Sequence, residues 1–156
     1  MNYWLMKNEP EAYSLEDLKR DGMSRWDGIR NYQVRNMLRD EFTVGDKAIF
    51  YYSNAGVKTG AVGVMEVASA AYADPLQFMP TSEYYDARSK REAPRWLSVD
   101  VSFISAFLNP VLLPAMRTDK ALASLQILKR GNRLSVTKLT KKEFDHICRL
   151  GKSRQD

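Results

Sequence analysis

Residues 47–68, KAIFYYSNAGVKTGAVGVMEVA, decide how the rest of the chain is read. KAIFYYS is β-branched and aromatic, the composition of a strand. Asn54-Ala55-Gly56 breaks it, and Gly56-Val57-Lys58-Thr59 reads as a hairpin turn. A second strand follows over 60–68, with valines at 62, 64 and 67 and glycines at 60 and 63. It has no polar face. A strand buried on both sides belongs to a small barrel, and its glycines permit tight bending.

Upstream, residues 3–7 (YWLMK) read as a strand closed by Asn8-Glu9-Pro10. Ser14 and Asp17 have the spacing of a capping box, with Tyr13 and Leu18 as its staple, and predict a helix over 15–20 that stops at Gly22. Asn31 is the expected N-cap of a helix over 32–40. That helix has two faces. Val34, Met37 and Leu38 form an apolar side, while Tyr32, Arg35, Asn36 and Arg39 form an aromatic and cationic one.

Downstream, residues 73–95 read as a loop, with one turn of helix over 76–78 opened by Asp74-Pro75. Residues 96–107 are the longest strand candidate, because Val99, Val101 and Phe103 alternate with Asp100 and Ser102. A short extended piece over 111–113 lies between Pro110 and Pro114. Helical spacing over 120–128, a strand over 134–139 and a helix over 141–150 complete the chain. That last helix opens on a second capping box, Thr140 with Glu143, and is expected to end at Gly151. The pattern predicts one α+β domain over 1–150, a small bent β-barrel, mixed but mostly antiparallel, flanked by short helices. Residues 151–156 are expected to be a basic tail.

Composition narrows the partners. The chain has 156 residues, 44% hydrophobic and 28% charged, the range of an ordinary folded domain. No apolar run reaches the roughly 18 residues needed to span a bilayer, and MNYWLMKNEP lacks the pattern of a secretory signal. Cys148 is the single cysteine, so a reducing compartment and no intrachain disulfide are expected. Net charge is +5, and the stretch 129–156 holds nine lysines and arginines against three acids. The whole positive excess is thus carried there, as suits a surface that faces phosphates.

Several chemistries fit poorly. His146 and Cys148 are two apart on one helix and point different ways, which disfavours a nucleophile–base pair. Zinc needs more Cys and His than one of each. Asp74, Glu83 and Asp86 share a loop, but without the spacing of a magnesium site. Glu9, Asp27 and Asp100 are the carboxylates available for acid–base work, and nothing pairs them. No metal, cofactor or catalytic residue is therefore expected.

The aromatic residues point elsewhere. Trp26, Tyr32, Tyr51, Tyr52, Tyr84, Tyr85 and Trp96 lie near turns or strand ends, most beside polar residues. Aromatic faces with Arg, Asn and Ser at hand stack a flat ring and bond its edge. Tyr51 and Trp96 are read as packing residues, and Trp26, beside the Asp27-Gly28 turn, as a ligand contact.

The blocks YWLMKNEPEAYSLEDL, WDGIRNYQVRN, VGDKAIFYYSN, GAVGVMEV, DPLQF, PRWLSVDV and LKRGNRLSV occur in this order and resemble the EVE domain family. The resemblance implies a PUA-like fold and kinship with YTH domains, which hold methylated adenine in an aromatic cage. It also implies recognition of modified bases, notably 5-methylcytosine and its oxidised forms in DNA, with RNA bases for other members. By the same resemblance, Trp26 would stack on the base, and Asn31, Tyr32 and Gln33 would shape the pocket. Ser53 and Asn54 would bond the base edge, with Lys7 and Glu9 at the rim. Arg30, Arg35, Arg130, Arg133 and Ser135 would contact the backbone. Tyr52 stands where many members have His, so base preference is not carried over.

The expected function is a non-enzymatic, monomeric module that captures a modified base, in DNA rather than RNA, away from membranes. The expected location is the cytoplasm of a bacterium, including its nucleoid, or a eukaryotic nucleus. An enzyme acting on RNA or nucleotides, and a binder of a small nucleotide-like metabolite, are the alternatives.

Overall fold

The computed structural model describes residues 1–152. Its centre is a mixed sheet of seven strands. In chain order these are β1 (Tyr3–Asn8), β2 (Met23–Trp26), β3 (Lys47–Tyr52), β4 (Gly60–Val67), β5 (Tyr72–Ala73), β6 (Leu97–Leu112) and β7 (Val136–Leu139). The sheet order is β2-β6-β4-β3-β1-β7, with β5 on β6. Only β1 and β3 run parallel; the other pairings are antiparallel. The helices are α1 (Leu15–Asp21), α2 (Tyr32–Asp40), α3 (Leu113–Thr118) and α4 (Lys141–Lys152). None is long and apolar enough to cross a membrane among the described residues.

Both faces of the sheet are covered, which is why 47–68 reads as apolar throughout. Trp4, Met6, Phe50, Val62, Val99 and Val101 turn to one side, with Leu18, Val34 and Leu38 of the helices packed against them. Leu5, Ile49, Tyr51, Val64 and Leu139 turn to the other, under Phe144 and Ile147 of α4. Alternation along each strand supplies both cores at once. The two capping boxes form as expected. Ser14 Oγ accepts from the Asp17 amide and Asp17 bonds back to the Ser14 amide, while Thr140 and Glu143 repeat the pattern. Asn31 Oδ1 accepts from the Val34 amide at 3.0 Å and caps α2.

Four expectations are corrected. The barrel does not close, because β2 and β7 are the free edges of the sheet. β2 itself was not expected; its polar MSRW sequence becomes a strand by pairing with Val99–Ser102 of β6. β6 runs on through Pro110 to Leu112, and Pro114 then sits in the first turn of α3, where its missing N–H costs nothing. Residues 120–128 form two 3-10 turns rather than a helix, with Leu122 and Leu125 buried at the spacing that mimics one.

Gly151 does not end α4. It lies buried inside it, and a Cβ there would meet the Phe107 ring at 2.5 Å. This glycine is a close-packing residue; of the tail expected over 151–156, residues 151 and 152 belong to α4 and 153–156 lie outside the described residues. Gly151→Ala should therefore destabilise the fold by about 1–3 kcal/mol by overpacking, although Gly→Ala inside a helix ordinarily gains about 1 kcal/mol. Urea denaturation measures the sign, and Phe107→Leu in the same background should recover part of the loss.

Candidate functional site

The unclosed side of the sheet holds a cavity of about 460 Å³. Its walls come from the ends of β1 (Lys7, Asn8) and β2 (Ser24, Arg25, Trp26), the turn Asp27-Gly28-Ile29, Tyr13, the Glu83-Tyr84 segment and Ser135 before β7. Residues flanking both free edges thus line one space. A cavity of this size admits a flat ring the size of a nucleobase.

Trp26 is buried at 8% exposure and lies edge-on to Phe50, with ring centroids 5.4 Å apart. It is the apolar wall of the cavity and also part of the core. Opposite the apolar wall are ionisable groups. Lys7 is held by a backbone bond from its amide to the Ser135 carbonyl at 2.8 Å, and burial lowers its side-chain pKa from the ordinary lysine value. Asp27 accepts from Arg25 Nε at 2.8 Å. Tyr13 donates its hydroxyl to Asp21 at 2.7 Å.

Gly28 shapes the wall that faces Glu83 and Tyr84. Its φ is +79°, and a Cβ there would stand 3.0 Å from the Tyr84 ring. Only glycine permits both the turn and the close approach. Behind this turn, Asp74 is fully buried. Its carboxylate accepts from the Gly28 amide at 2.8 Å, the Leu76 amide at 2.8 Å and Arg30 Nη1 at 3.0 Å. Arg30 also donates to the Tyr84 carbonyl from Nε and Nη2, and to the Ile29 carbonyl. Its guanidinium stacks over Tyr84 and Trp96 at 5.4 and 5.5 Å.

The loop that carries Tyr84 is itself pinned. Buried Gln77 bonds the Asp74 and Trp96 carbonyls through Nε2 and accepts from Ser89 and the Trp96 amide through Oε1. Trp96 Nε1 donates to Asp86 at 2.8 Å, and this bond is the largest cause holding the Asp86 carboxyl below the usual carboxylate range.

The expected site residues divide. Lys7, Trp26 and Ser135 line the cavity. Arg130 and Arg133 are exposed in the turn that leads to Ser135. Arg30 turns inward, with four of its five N–H donors on Tyr84, Ile29 and Asp74, and holds the wall. Asn31, Tyr32 and Gln33 lie outside the cavity. Asn31 is occupied as a cap, and Tyr32 is half-exposed on Trp96, with ring centroids 4.6 Å apart. Arg35 stacks on Tyr32 at 5.0 Å and donates to the Arg95 carbonyl and to Asn36. Ser53 pairs its amide with the Asn8 carbonyl, beside the cavity. Asn54 and Glu9 bond each other at 3.2 Å and line a separate groove.

Ser24, Ile29, Tyr13 and Glu83 were not singled out as site residues from the sequence. The Asp27-Gly28 turn and Tyr84, one of the aromatics beside turns, were the signals that pointed to this wall. The groups weighed for the disfavoured chemistries have other surroundings. His146 Nε2 lies 2.7 Å from Asp119, and burial pushes the Cys148 thiol up, away from the reactive thiolate. Asp100 accepts from the Tyr72 hydroxyl at 2.6 Å and stands across the β2–β6 pair from Arg25, which bonds Asp27.

The bracket around Asp74 makes a prediction. Asp74→Ala leaves the Arg30 guanidinium without its buried carboxylate, so it should cost about 3–5 kcal/mol of stability. Hydrogen exchange should quicken at Gly28 and Leu76 before it does in β3 or β4. Unchanged protection at those two amides would contradict the bracket.

Comparison with known proteins agrees with this fold. A family model described as the EVE domain matches residues 2–150. Mouse thymocyte nuclear protein 1 is 40% identical over 168 aligned positions, which cover 96% of this chain and 73% of that protein. A crystal structure of a Pseudomonas syringae protein superimposes with a TM-score of 0.91 at 38% identity, covering 96% of this chain and 99% of that one. The human THYN1 protein, solved in complex with DNA containing 5-methylcytosine, superimposes with a TM-score of 0.90 at 35% identity over 99% of both chains. With a family match over nearly its whole length and a fold shared with these proteins, the chain belongs to the EVE domain family.

Proposed function

We propose that this chain binds nucleic acid, DNA in preference to RNA, and takes a modified base of the 5-methylcytosine kind out of the stack into the Trp26 cavity. The observation that carries the reading is the cavity itself, with one aromatic wall and polar groups around it, in a fold that superimposes on human THYN1 bound to 5-methylcytosine DNA. Trp26 and Ile29 offer the apolar surface for a ring and its methyl group. Asp27 and Glu83 are acceptors of the kind that bond the exocyclic amine of cytosine. Lys7 and Ser135 supply donors. Unstacking a base costs a few kcal/mol, and stacking on an aromatic face returns about 1–3 kcal/mol. Arg130 and Arg133, together with the other cations after Lys129, would hold the phosphates.

The module acts by binding and not by chemistry in this reading. Of the carboxylates available for acid–base work, Glu9 lines the separate groove, and Asp27 and Asp100 are already engaged with Arg25 and Tyr72. It acts as a monomer, in the bacterial cytoplasm or in a eukaryotic nucleus.

A buried methyl contributes roughly 0.8 kcal/mol, so methylated and unmethylated oligonucleotides should differ several-fold and by no more than about a hundredfold. Titrations at two salt concentrations measure both terms, because the phosphate contribution weakens with salt and the methyl contribution does not. Trp26 is part of the core, so Trp26→Ala would cost stability as well as binding. Trp26→Phe retains an aromatic ring and loses less packing than alanine, and should still lose about 1 kcal/mol of base affinity. Equal binding of both oligonucleotides, or unchanged binding by Trp26→Phe, would contradict the pocket.

A further inference from the structure

On the other side of the segment 8–14 lies a second and larger depression of about 780 Å³. Asn8, Ala12 and Tyr13 face the Trp26 cavity, while Glu9, Glu11 and Ser14 face this groove. Its floor is apolar and comes from Leu15, Val62, Phe107, Pro110 and Leu112. Val57 stands at its wall, 88% exposed. Leu15, Val62 and Phe107 belong to the buried core, while Val57, Pro110 and Leu112 are exposed around them, and exposed apolar side chains gathered at a groove mark an interaction surface.

The charge on this groove is opposite to that of the chain as a whole. Glu9, Glu11 and Glu16 line it against Lys58 alone, on a protein of net charge +5. None of these three glutamates is in a salt bridge among the described residues. The Glu9 carboxylate accepts from the Asn54 side-chain amide, and that of Glu16 from the Tyr52 hydroxyl, each at 3.2 Å. Three carboxylates repel phosphate, so the groove does not extend a nucleic-acid surface. They favour a cation whose neighbours are aliphatic.

The groove also adjoins a free strand edge. β2 pairs with β6 only as far as Ser102, and the Gly22 carbonyl takes the Phe103 amide. The β6 residues that line the groove, from Ala106 to Leu112, lie beyond that pairing, so this edge carries no strand among the described residues. An edge of this kind receives an extended segment, with side-chain pockets giving selectivity.

We propose that this groove is a docking site for a partner protein that presents an extended segment of alternating cationic and aliphatic residues. The proposal stands independently of what the Trp26 cavity holds. The probe is a capped hexapeptide of alternating leucine and arginine, titrated into the full-length ¹⁵N-labelled chain, with a leucine–glutamate hexapeptide and a DNA oligonucleotide as the other arms. The leucine–arginine peptide should shift the amides of residues 9, 11, 14–16, 54–58, 106–109, 111 and 112, which line or adjoin the groove and not the Trp26 cavity, and its affinity should fall with salt. Glu11→Gln with Glu16→Gln should weaken it by about fivefold or more. Val57→Ser, at an exposed position that spares the core, should weaken it with no change in salt dependence. The oligonucleotide should leave these amides unmoved. The proposal is overturned if the leucine–arginine peptide shifts none of them, if the leucine–glutamate peptide binds as well, if the double variant binds unchanged, or if the oligonucleotide shifts the same groove.

Discussion

The fully buried Asp74 carboxylate joins three parts of the chain that local structure alone would leave apart. It caps the 3-10 turn Pro75–Phe78, receives the amide of Gly28 and pairs with Arg30. A carboxylate removed from water is costly unless every acceptor site is answered, and here two amides and a guanidinium answer it. The answer forces geometry. Gly28 must turn with positive φ, Arg30 must fold inward, and Arg30 in turn holds the Tyr84 carbonyl. One wall of the cavity is therefore a consequence of satisfying a buried charge.

The other walls follow from a sheet that stops short of closing. A closed barrel fills its interior with side chains, whereas free edges at β2 and β7 leave room between them. Trp26 ends β2 and faces that room, while Lys7 and Ser135 border it from the far edge. The rigid part of the molecule, with cores on both sheet faces, thus presents a rim of polar groups around one aromatic surface. Pre-organised sites of this kind do not spend binding energy on ordering their own residues.

Much of this was legible in the sequence where the deciding signals are local. Ser14–Asp17, Asn31 and Thr140–Glu143 are caps whose chemistry acts within one turn of helix, and each forms as read. The apolar run over 47–68 showed that the sheet is covered on both faces. What escaped is what depends on partners distant in the chain. MSRW becomes a strand only because β6 offers an edge, and Gly151 looks like a helix stop until Phe107 is seen against it. Arg30 was placed on the nucleic-acid backbone by resemblance, and its bond to Asp74, 44 positions away, could not be read from the sequence. The same holds for Asn54 and Glu9, which the family resemblance placed with Trp26 and which line the neighbouring groove instead.

The central claim is that a base leaves its helix and lodges against Trp26, inside the gap between the sheet edges. A crystal structure of this chain with an oligonucleotide carrying one 5-methylcytosine tests it most directly. The account predicts the methylated base in the cavity, its ring on Trp26 and its amine edge toward Asp27 or Glu83. A base that stays stacked in the duplex, or one bound on the exposed Tyr32–Arg35 face while the Trp26 cavity is empty, would contradict it.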